Sequence, residues 1–506
     1  MVTIVTIIRR SVGALLLAIS TCVAAAPPAP AFISSTAPLT SHEINVSRVY
    51  LALSGRAPEL SGLDFWAANT PERASIEEIY NTIEPFVAAV SMAPANEPNF
   101  SFVKYLYAYL LGKSYEDDPA GIQYWACLLA DDGSQQIDGT FFCAQGYGGL
   151  SRGGVVSNFL AAAGAAAAAD PNSHRTFVNR MLAIEYAGRI QKARGRGFSV
   201  PDGATLVRRI MSSDESFSQA MQSLDRLTRD RRLASPARRF DGELTAASLY
   251  SEARPAALDA RVKIHKHLVW YNSNRDMLLA QAFLPPDFVS GSNFQAVISV
   301  HGGGWRNGLV EHMEGFNTAL ALQGFVVLSP MYRLTSWGHT GVYPSPTQQA
   351  DIADFAALVK ADPSVFKVSA DRVRLFGHSA GGHLVALLGT TSNYGCVASV
   401  AAPLDLLNDF NSGPANTSLD YYVAPTARAS VSPSSQSATA SSTNFLVHFG
   451  SADRLVPPSQ AATFQAAFGS SRVQTMAHNE SHMFSAQAAK AVASATATFF
   501  QGSSCL

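Results

Sequence analysis

The stretch Arg374-Leu375-Phe376-Gly377-His378-Ser379-Ala380-Gly381-Gly382 constrains the fold of this 506-residue chain more than any other. An apolar run passes into Gly-x-Ser-x-Gly and then into small residues that open a helix. A serine on so sharp a strand-to-helix turn stands out at the top of a sheet, where a neighbouring base can take its proton. The flanking glycines follow from crowding, since a side chain on either side of the turn would clash. The pattern is short, and its weight depends on what surrounds it.

Upstream, the β-branched run Ala296-Val297-Ile298-Ser299-Val300 leads straight into His301-Gly302-Gly303-Gly304-Trp305. Consecutive glycines at a strand end leave backbone N–H groups able to face a ligand, so this loop reads as one wall of an oxyanion hole. The amide of Ala380, just after the serine, supplies the other donor. The competing reading is a plain strand-to-helix turn. Downstream, Phe445-Leu446-Val447-His448-Phe449-Gly450 reads as a buried strand and is followed by Ser451-Ala452-Asp453. An acid just past a strand's carboxyl end is where α/β sheets display functional side chains, which makes Asp453 the candidate acid. Two histidines, His478 and His482, follow the strand Val473-Gln474-Thr475-Met476. His482 is preferred because it lies further into the loop, directly before Met483-Phe484, whose apolar side chains can anchor it. The chain order Ser379, Asp453, His482 is one of three unrelated orders in which such triads occur.

With these motifs in order, residues from about Leu268 to Phe500 resemble an α/β-hydrolase of the esterase/lipase group that contains hormone-sensitive-lipase-like and BD-FAE-type carboxylesterases. The matching residues are His301 to Trp305, Met331-Tyr332-Arg333-Leu334, Gly377 to His383, the Gly450-to-Pro457 loop and His482. The resemblance implies Ser379 as nucleophile, His482 as general base, Asp453 as orienting acid, and oxyanion donors at Gly303, Gly304 and Ala380. Formamidase-like members of the same fold usually carry an aromatic in the glycine loop; Gly304 at that position points towards esters. The implied chemistry requires neither cofactor nor metal. His301, His378 and His383 read as satisfied structural histidines inside these motifs. Arg333 is expected to pair with Asp351 on the following helix.

The chain is too long for one typical domain, and 47% hydrophobic residues suffice for sizeable cores. A net charge of −1 argues against nucleic-acid or polybasic membrane binding. Arg9-Arg10, the apolar stretch Val12 to Ile19 and then Ala24-Ala25-Ala26 read as a secretory signal peptide over residues 1–26, followed by a linker over 27–42. Ile19-Ser20-Thr21-Cys22 faintly resembles a lipoprotein box, with Thr21 a poor residue before the cysteine, so anchoring at Cys22 is the less favoured alternative to simple export. No other apolar span is long enough to cross a bilayer. Export favours disulfides. Four cysteines outside the signal permit three pairings; one bridge per domain, Cys127–Cys143 and Cys396–Cys505, is the economical choice.

Residues 43–235 carry an internal repeat. Tyr50 aligns with Tyr107, Gly55 with Gly112, Gly62 with Gly121 and Trp66 with Trp125, each unit reading as helix, glycine stop, turn and second helix. A helix is expected over Ser151 to Leu160, a degenerate third copy from Phe177 to Leu227, and a helix or spacer over Ala161 to Ala169. The repeats resemble a DUF4214-type helical module of secreted and surface-associated proteins, whose motif brings no catalytic residues; the Tyr, Gly and Trp positions read as core and turn. Glu116-Asp117-Asp118 lacks the spaced oxygen ligands of a calcium loop and reads as a solvated turn. Arg229 to Arg239 reads as an exposed connector to a hydrolase domain over residues 240–506.

The whole is expected to be an all-α repeat domain followed by an α/β domain with a mostly parallel sheet and helices on both faces, including a hairpin of Leu268-Val269-Trp270-Tyr271 with Leu278 to Leu284 and a helix over Thr347 to Lys360. Asp405 to Ser442 falls where family members place a cap; its short, polar character favours small or exposed esters, on small molecules or attached to polymers. The repeats offer a surface for a protein or surface partner. Two alternatives stay open at this point: a non-enzymatic surface protein that uses a hydrolase-like fold, and an amidase or peptidase of the same fold.

Overall fold

The computed structural model describes residues 38–88, 99–129, 136–137, 141–143, 148–229, 240, 244–306, 308–335, 343–408 and 419–505. The expected signal segment with Cys22, residues 27–37 of the expected linker and residues 230–239 of the expected connector lie outside the described residues.

The amino-terminal half is helical. Thr40 caps α1 (Ser41–Ser54) in a reciprocal capping box with Glu43, and the helix ends on Gly55 at φ 65°. Helix α2 (Leu60–Asn69) follows and carries Trp66, then α3 (Ile76–Ala88). The second unit repeats this plan. Helix α4 (Asn99–Leu106) runs on through a π-helical turn, Tyr107–Leu111, to Gly112 at φ 69°, and α5 (Pro119–Leu128) carries Trp125. After α6 (Arg152–Ala165), which takes in the first part of the alanine-rich stretch, α7 (Pro171–Arg194) ends on Gly195 at φ 58° and leads into α8 (Val200–Arg208) and α9 (Asp214–Arg229). Among the described residues three helices therefore stop on a left-handed glycine, the residue with least penalty for that conformation. Tyr50, Tyr107 and Trp66 are buried.

Among the described residues of the carboxyl-terminal half, nine strands build one sheet: β1 (Arg254–Pro255), β2 (Lys263–Tyr271), β3 (Met277–Leu284), β4 (Phe294–Val300), β5 (Val326–Pro330), β6 (Val368–His378), β7 (Cys396–Val400), β8 (Asn444–Gly450) and β9 (Val473–His478). Their spatial order is β9-β8-β7-β6-β4-β5-β3-β2-β1. From β9 to β5 every neighbouring pair is parallel, and β3, β2 and β1 are antiparallel additions. The expected hairpin is present, with Leu268 opposite Ala280 and Tyr271 opposite Met277.

Alternation along these strands feeds two cores. Val297, Phe376, Ala398 and Leu446 share a cluster with Phe316 and Leu320 of α10 (Glu314–Ala321) and with Val492 and Phe500 of α14 (Ala486–Gln501). Their sequence neighbours Ile298, Leu375, Val397 and Phe445 join Phe355 of α11 (Thr347–Ala361), Leu384 of α12 (Ala380–Thr391) and Phe464 of α13 (Ser459–Phe468). Each such Val, Leu, Ile or Phe side chain contributes about 1.5–3 kcal/mol when taken out of water. A mostly parallel sheet covered on both faces, with Ser379 on the turn between β6 and α12, is the α/β-hydrolase fold.

The halves meet at β3, where the Asp202 carboxylate accepts from Met277 N–H at 3.0 Å and Thr205 Oγ1 donates to Met277 O at 2.7 Å. The second of these clusters, that of Ile298 and Phe355, continues through this contact into the repeats. Disulfides join Cys127 to Cys143 and Cys396 to Cys505. The solvated turn expected at Glu116-Asp117-Asp118 is corrected in part. Asp117 accepts from Ser114 N–H and Oγ and pairs with Lys266 of β2 at 3.4 Å, and Asp118 caps α5.

Candidate active site

Three side chains meet at the carboxyl ends of β6, β8 and β9. Ser379 sits between β6 and α12 at φ 54° and ψ −124°, a strained backbone for a residue with a Cβ. The turn is crowded, and a Cβ on Gly381 would fall 2.2 Å from Val300 O. Two hydrogen bonds hold the turn, Ser379 N–H to Val400 O at 2.8 Å and His383 N–H to Ser379 O at 2.9 Å.

Ser379 Oγ lies 2.9 Å from His482 Nε2, and His482 Nδ1 lies 2.8 Å from Asp453 Oδ2. An ionised carboxylate only accepts, so the ring proton sits on Nδ1 and the Nε2 lone pair faces the serine hydroxyl. Asp453 is 5% exposed, whereas Ser379 and His482 are half-buried. Burial alone would raise the Asp453 pKa. The hydrogen bond and charge of His482, with the amides of Val456 and Leu455 on Oδ1, outweigh it and hold the carboxyl below its ordinary value.

The loops carrying acid and base are tied to each other. Ser451 N–H donates to His478 O at 2.8 Å and Ala452 N–H to Glu480 O at 3.0 Å. A Cβ on Gly450 would fall 2.5 Å from Glu480 O, so the approach needs glycine there. His478 takes no part in the serine contact; its Nε2 lies 3.0 Å from His448 Nδ1. The expected anchor is half right. Phe484 packs against Phe316 and His478, while Met483 is 59% exposed. His482 is instead held through its carbonyl, which accepts from His378 Nε2 at 3.0 Å. Burial first, and the nearby His482 second, push His378 down to about 4, so it stays a neutral donor.

The glycine loop stands against the serine: a Cβ on Gly302 would come within 2.9 Å of Ser379 Cβ. Gly303, Gly304 and Trp305 follow at φ 116°, 59° and 57°, a left-handed run that turns successive amides to one side. Ala380 opens α12, where the first N–H groups lack helical partners. Trp305 locks the loop. Its Nε1–H donates to His383 Nδ1 at 3.1 Å, which leaves His383 Nε2–H to donate to Val431 O at 2.7 Å. Its ring stacks on Tyr422 with centroids 4.6 Å apart. Burial pushes His383 down to about 4 and keeps it neutral.

Arg333 forks onto Asp351 at 2.8 Å, as expected, and also reaches Asp276 at 3.2 Å. Of the region read as a cap, residues 409–418 lie outside the described ones. Within the rest, Gln460 Oε1 accepts from the amides of Leu404 and Asp405, a brace that polar composition alone did not reveal. Among the described residues no group of three or more His, Cys, Asp or Glu is arranged to hold a metal ion, and no helix is long and apolar enough to cross a membrane.

A family model described as BD-FAE matches residues 283–402. Carboxylesterase 1F of Mus musculus is 29% identical over 140 residues, 27% of this chain and 25% of that protein. Liver carboxylesterase B-1 of Rattus norvegicus is 30% identical over 127 residues, 24% of this chain and 22% of that protein. The chain thus spans about a quarter of the length of these curated relatives. Solved structures similar to the chain include a truncated carbohydrate esterase from gut microbiota, 16% identical, at TM-score 0.41 over 48% of this chain and 96% of that one. The apo form of Thermogutta terrifontis esterase 2 is 17% identical, at TM-score 0.39 over 46% and 93%.

Proposed function

We propose that the chain is an exported serine carboxylic-ester hydrolase. The observation that carries this reading is the hydrogen-bonded row from Ser379 Oγ through His482 to Asp453, set on a strained turn beside the glycine loop. His482 Nε2 takes the proton as Ser379 Oγ attacks the ester carbonyl, and Asp453 keeps the imidazole in the required tautomer. The amides of Gly303, Gly304 and Ala380 receive the developing oxyanion. His482 then returns its proton to the departing alcohol. Water, deprotonated by the same nitrogen, releases the acid from the acyl-serine.

The substrates in this reading are small or exposed esters. Tyr422, in the region read as a cap, is buried and stacks on Trp305 of the glycine loop, which supports a short cap lying close against that loop. Residues 1–26 direct export, 27–42 are a linker, 43–235 are a DUF4214-like helical repeat domain and 240–506 the hydrolase. Two disulfides support an oxidising destination.

Labelling by a fluorophosphonate probe tests the core of the proposal. The intact protein takes up the probe and hydrolyses short-chain nitrophenyl esters, and Ser379→Ala loses both, turnover falling about 10⁴-fold or more. An unlabelled wild type rejects the reading.

A further inference from the structure

We propose that the helical half sets the geometry of the oxyanion loop, with Arg208 as the positioning residue. This rests on the ester-hydrolase reading above and adds a role for the repeats within it.

The segment just after the glycine loop folds back on it. A Cβ on Gly308 would lie 2.1 Å from Gly302 O and 2.3 Å from His301 Nδ1. The next residues form a short 3₁₀ turn, Val310–Met313, with Glu311 pointing inward. Arg208, the last residue of α8, donates from a terminal nitrogen to Glu311 Oε2 at 2.6 Å, their side chains 5% and 14% exposed. Glu311 Oε1 accepts from Gln281 of β3 at 3.3 Å.

The other terminal nitrogen of Arg208 lies 3.0 Å from Met331 Sδ. Met331 precedes Tyr332, whose ring stacks on His301 at 4.3 Å and whose hydroxyl donates to His301 O at 3.0 Å. One guanidinium from the helical half thus grips both segments that flank His301 and Gly302. The contact is itself anchored in the repeats. Arg180, 1% exposed, donates to Arg208 O at 3.1 Å and to the carbonyls of Ala108 and Tyr109 at 2.6 Å, at the end of the second repeat's first helix. Tyr105 of that helix meets the edge of His312, one residue beyond Glu311.

Without Arg208 the buried Glu311 keeps only the cation of Lys266, which lies beyond ion-pair distance, so its carboxylate takes a proton or moves towards water. Either change shifts Val310–Met313, and with it the amides of Gly303 and Gly304. Those amides act mainly on charge that develops in the transition state, so their displacement shows in kcat and not in KM. Loss of one whole donor costs about 10²–10³-fold, and a displaced one costs less.

The test uses the full chain. Arg208→Met is expected to lower kcat about 10–100-fold with KM within about threefold, and to weaken inhibition by a trifluoromethyl ketone in parallel with kcat. Arg208→Met combined with Glu311→Met removes the stranded charge and recovers most of the lost kcat. Arg208→Lys keeps a cation but not the fork, and gives a smaller loss of the same kind, so a poorly folding Met variant leaves the test intact.

Unchanged kcat in Arg208→Met and Arg208→Lys overturns the inference. So does a loss confined to KM, or one that the double substitution deepens. A wild type that fluorophosphonate never labels would instead remove the ester-hydrolase reading itself. A labelled wild type beside an unaffected Arg208→Met removes this inference alone.

Discussion

At the carboxyl edge of the sheet, Asp453 is paired with His482, whose other ring nitrogen faces a half-exposed serine. Where the repeats meet the sheet, Lys266 faces Asp117 at 3.4 Å and Glu314 at 4.0 Å, while Arg208 faces Glu311. Both clusters bury charge. They differ in where it ends. The first runs out to a half-exposed hydroxyl; the second closes on itself between two layers of the fold. Glu314 is pushed up to about 7 by burial, while Asp453 is held below its ordinary value. A raised carboxyl pKa is therefore no guide to the candidate active site here. The open end of the hydrogen-bonded chain is.

The sharpest way to break this comparison is Asp453→Asn. The amide keeps the shape but donates where a carboxylate accepted, so His482 is held in the wrong tautomer. Turnover should drop about 10⁴-fold while the melting temperature moves little. Steady-state kinetics beside thermal melts check this; a large loss of stability with modest loss of turnover would make Asp453 a structural acid like those at the junction.

The open-ended cluster was legible in the sequence because its parts lie in local motifs. Gly377 to Gly381, Gly302 to Gly304 and the residues just past β8 and β9 each announce a strand end. Arg333 with Asp351, only 18 residues apart, was legible for the same reason. The junction was not. Arg208 and Glu311 stand 103 residues apart, and Lys266 and Asp117 149 apart, with no period or motif to link them. Asp117 looked like a solvated turn because its cation comes from β2. His378 was read as structural, and only the fold shows that what it supports is the carbonyl of His482. The third repeat was the faintest, and its second helix, α8, is the one that carries the docking contacts to β3.

The disulfides extend the comparison to stability. Cys127–Cys143 spans 16 residues of the helical half, and Cys396–Cys505 spans 109 residues of the sheet half. Chain-entropy arguments assign about 3 kcal/mol to a loop near the first length and about 4.7 kcal/mol to one near the second. Paired serine substitutions followed by denaturant melts should therefore cost more at Cys396 and Cys505. Equal or inverted losses would show that strain or residual structure, not loop length, governs these bridges.

The smallest effect expected separates Glu314 from Lys266. Burial, the largest influence on Glu314, disfavours its charge, and Glu116 and Asp117 add to this against the single cation of Lys266. Lys266 keeps its charge despite burial because Glu314, Asp117 and Glu311 share it, so Glu314 is the member that yields. Its carboxyl then holds a proton in the folded state from the ordinary 4.5 up to about 7, where the unfolded chain has lost it. The folded state binds more protons in that window, so stability falls as pH rises through it, by at most about 3 kcal/mol. Glu314→Gln removes the cost. It should leave stability unchanged near pH 4, raise it by up to that amount at pH 8, and keep turnover within about twofold, as urea melts at the two pH values and ester assays would register. A variant less stable than wild type at pH 8 would mean that attraction to Lys266 outweighs burial, and that the junction stores its charge as firmly as the triad does.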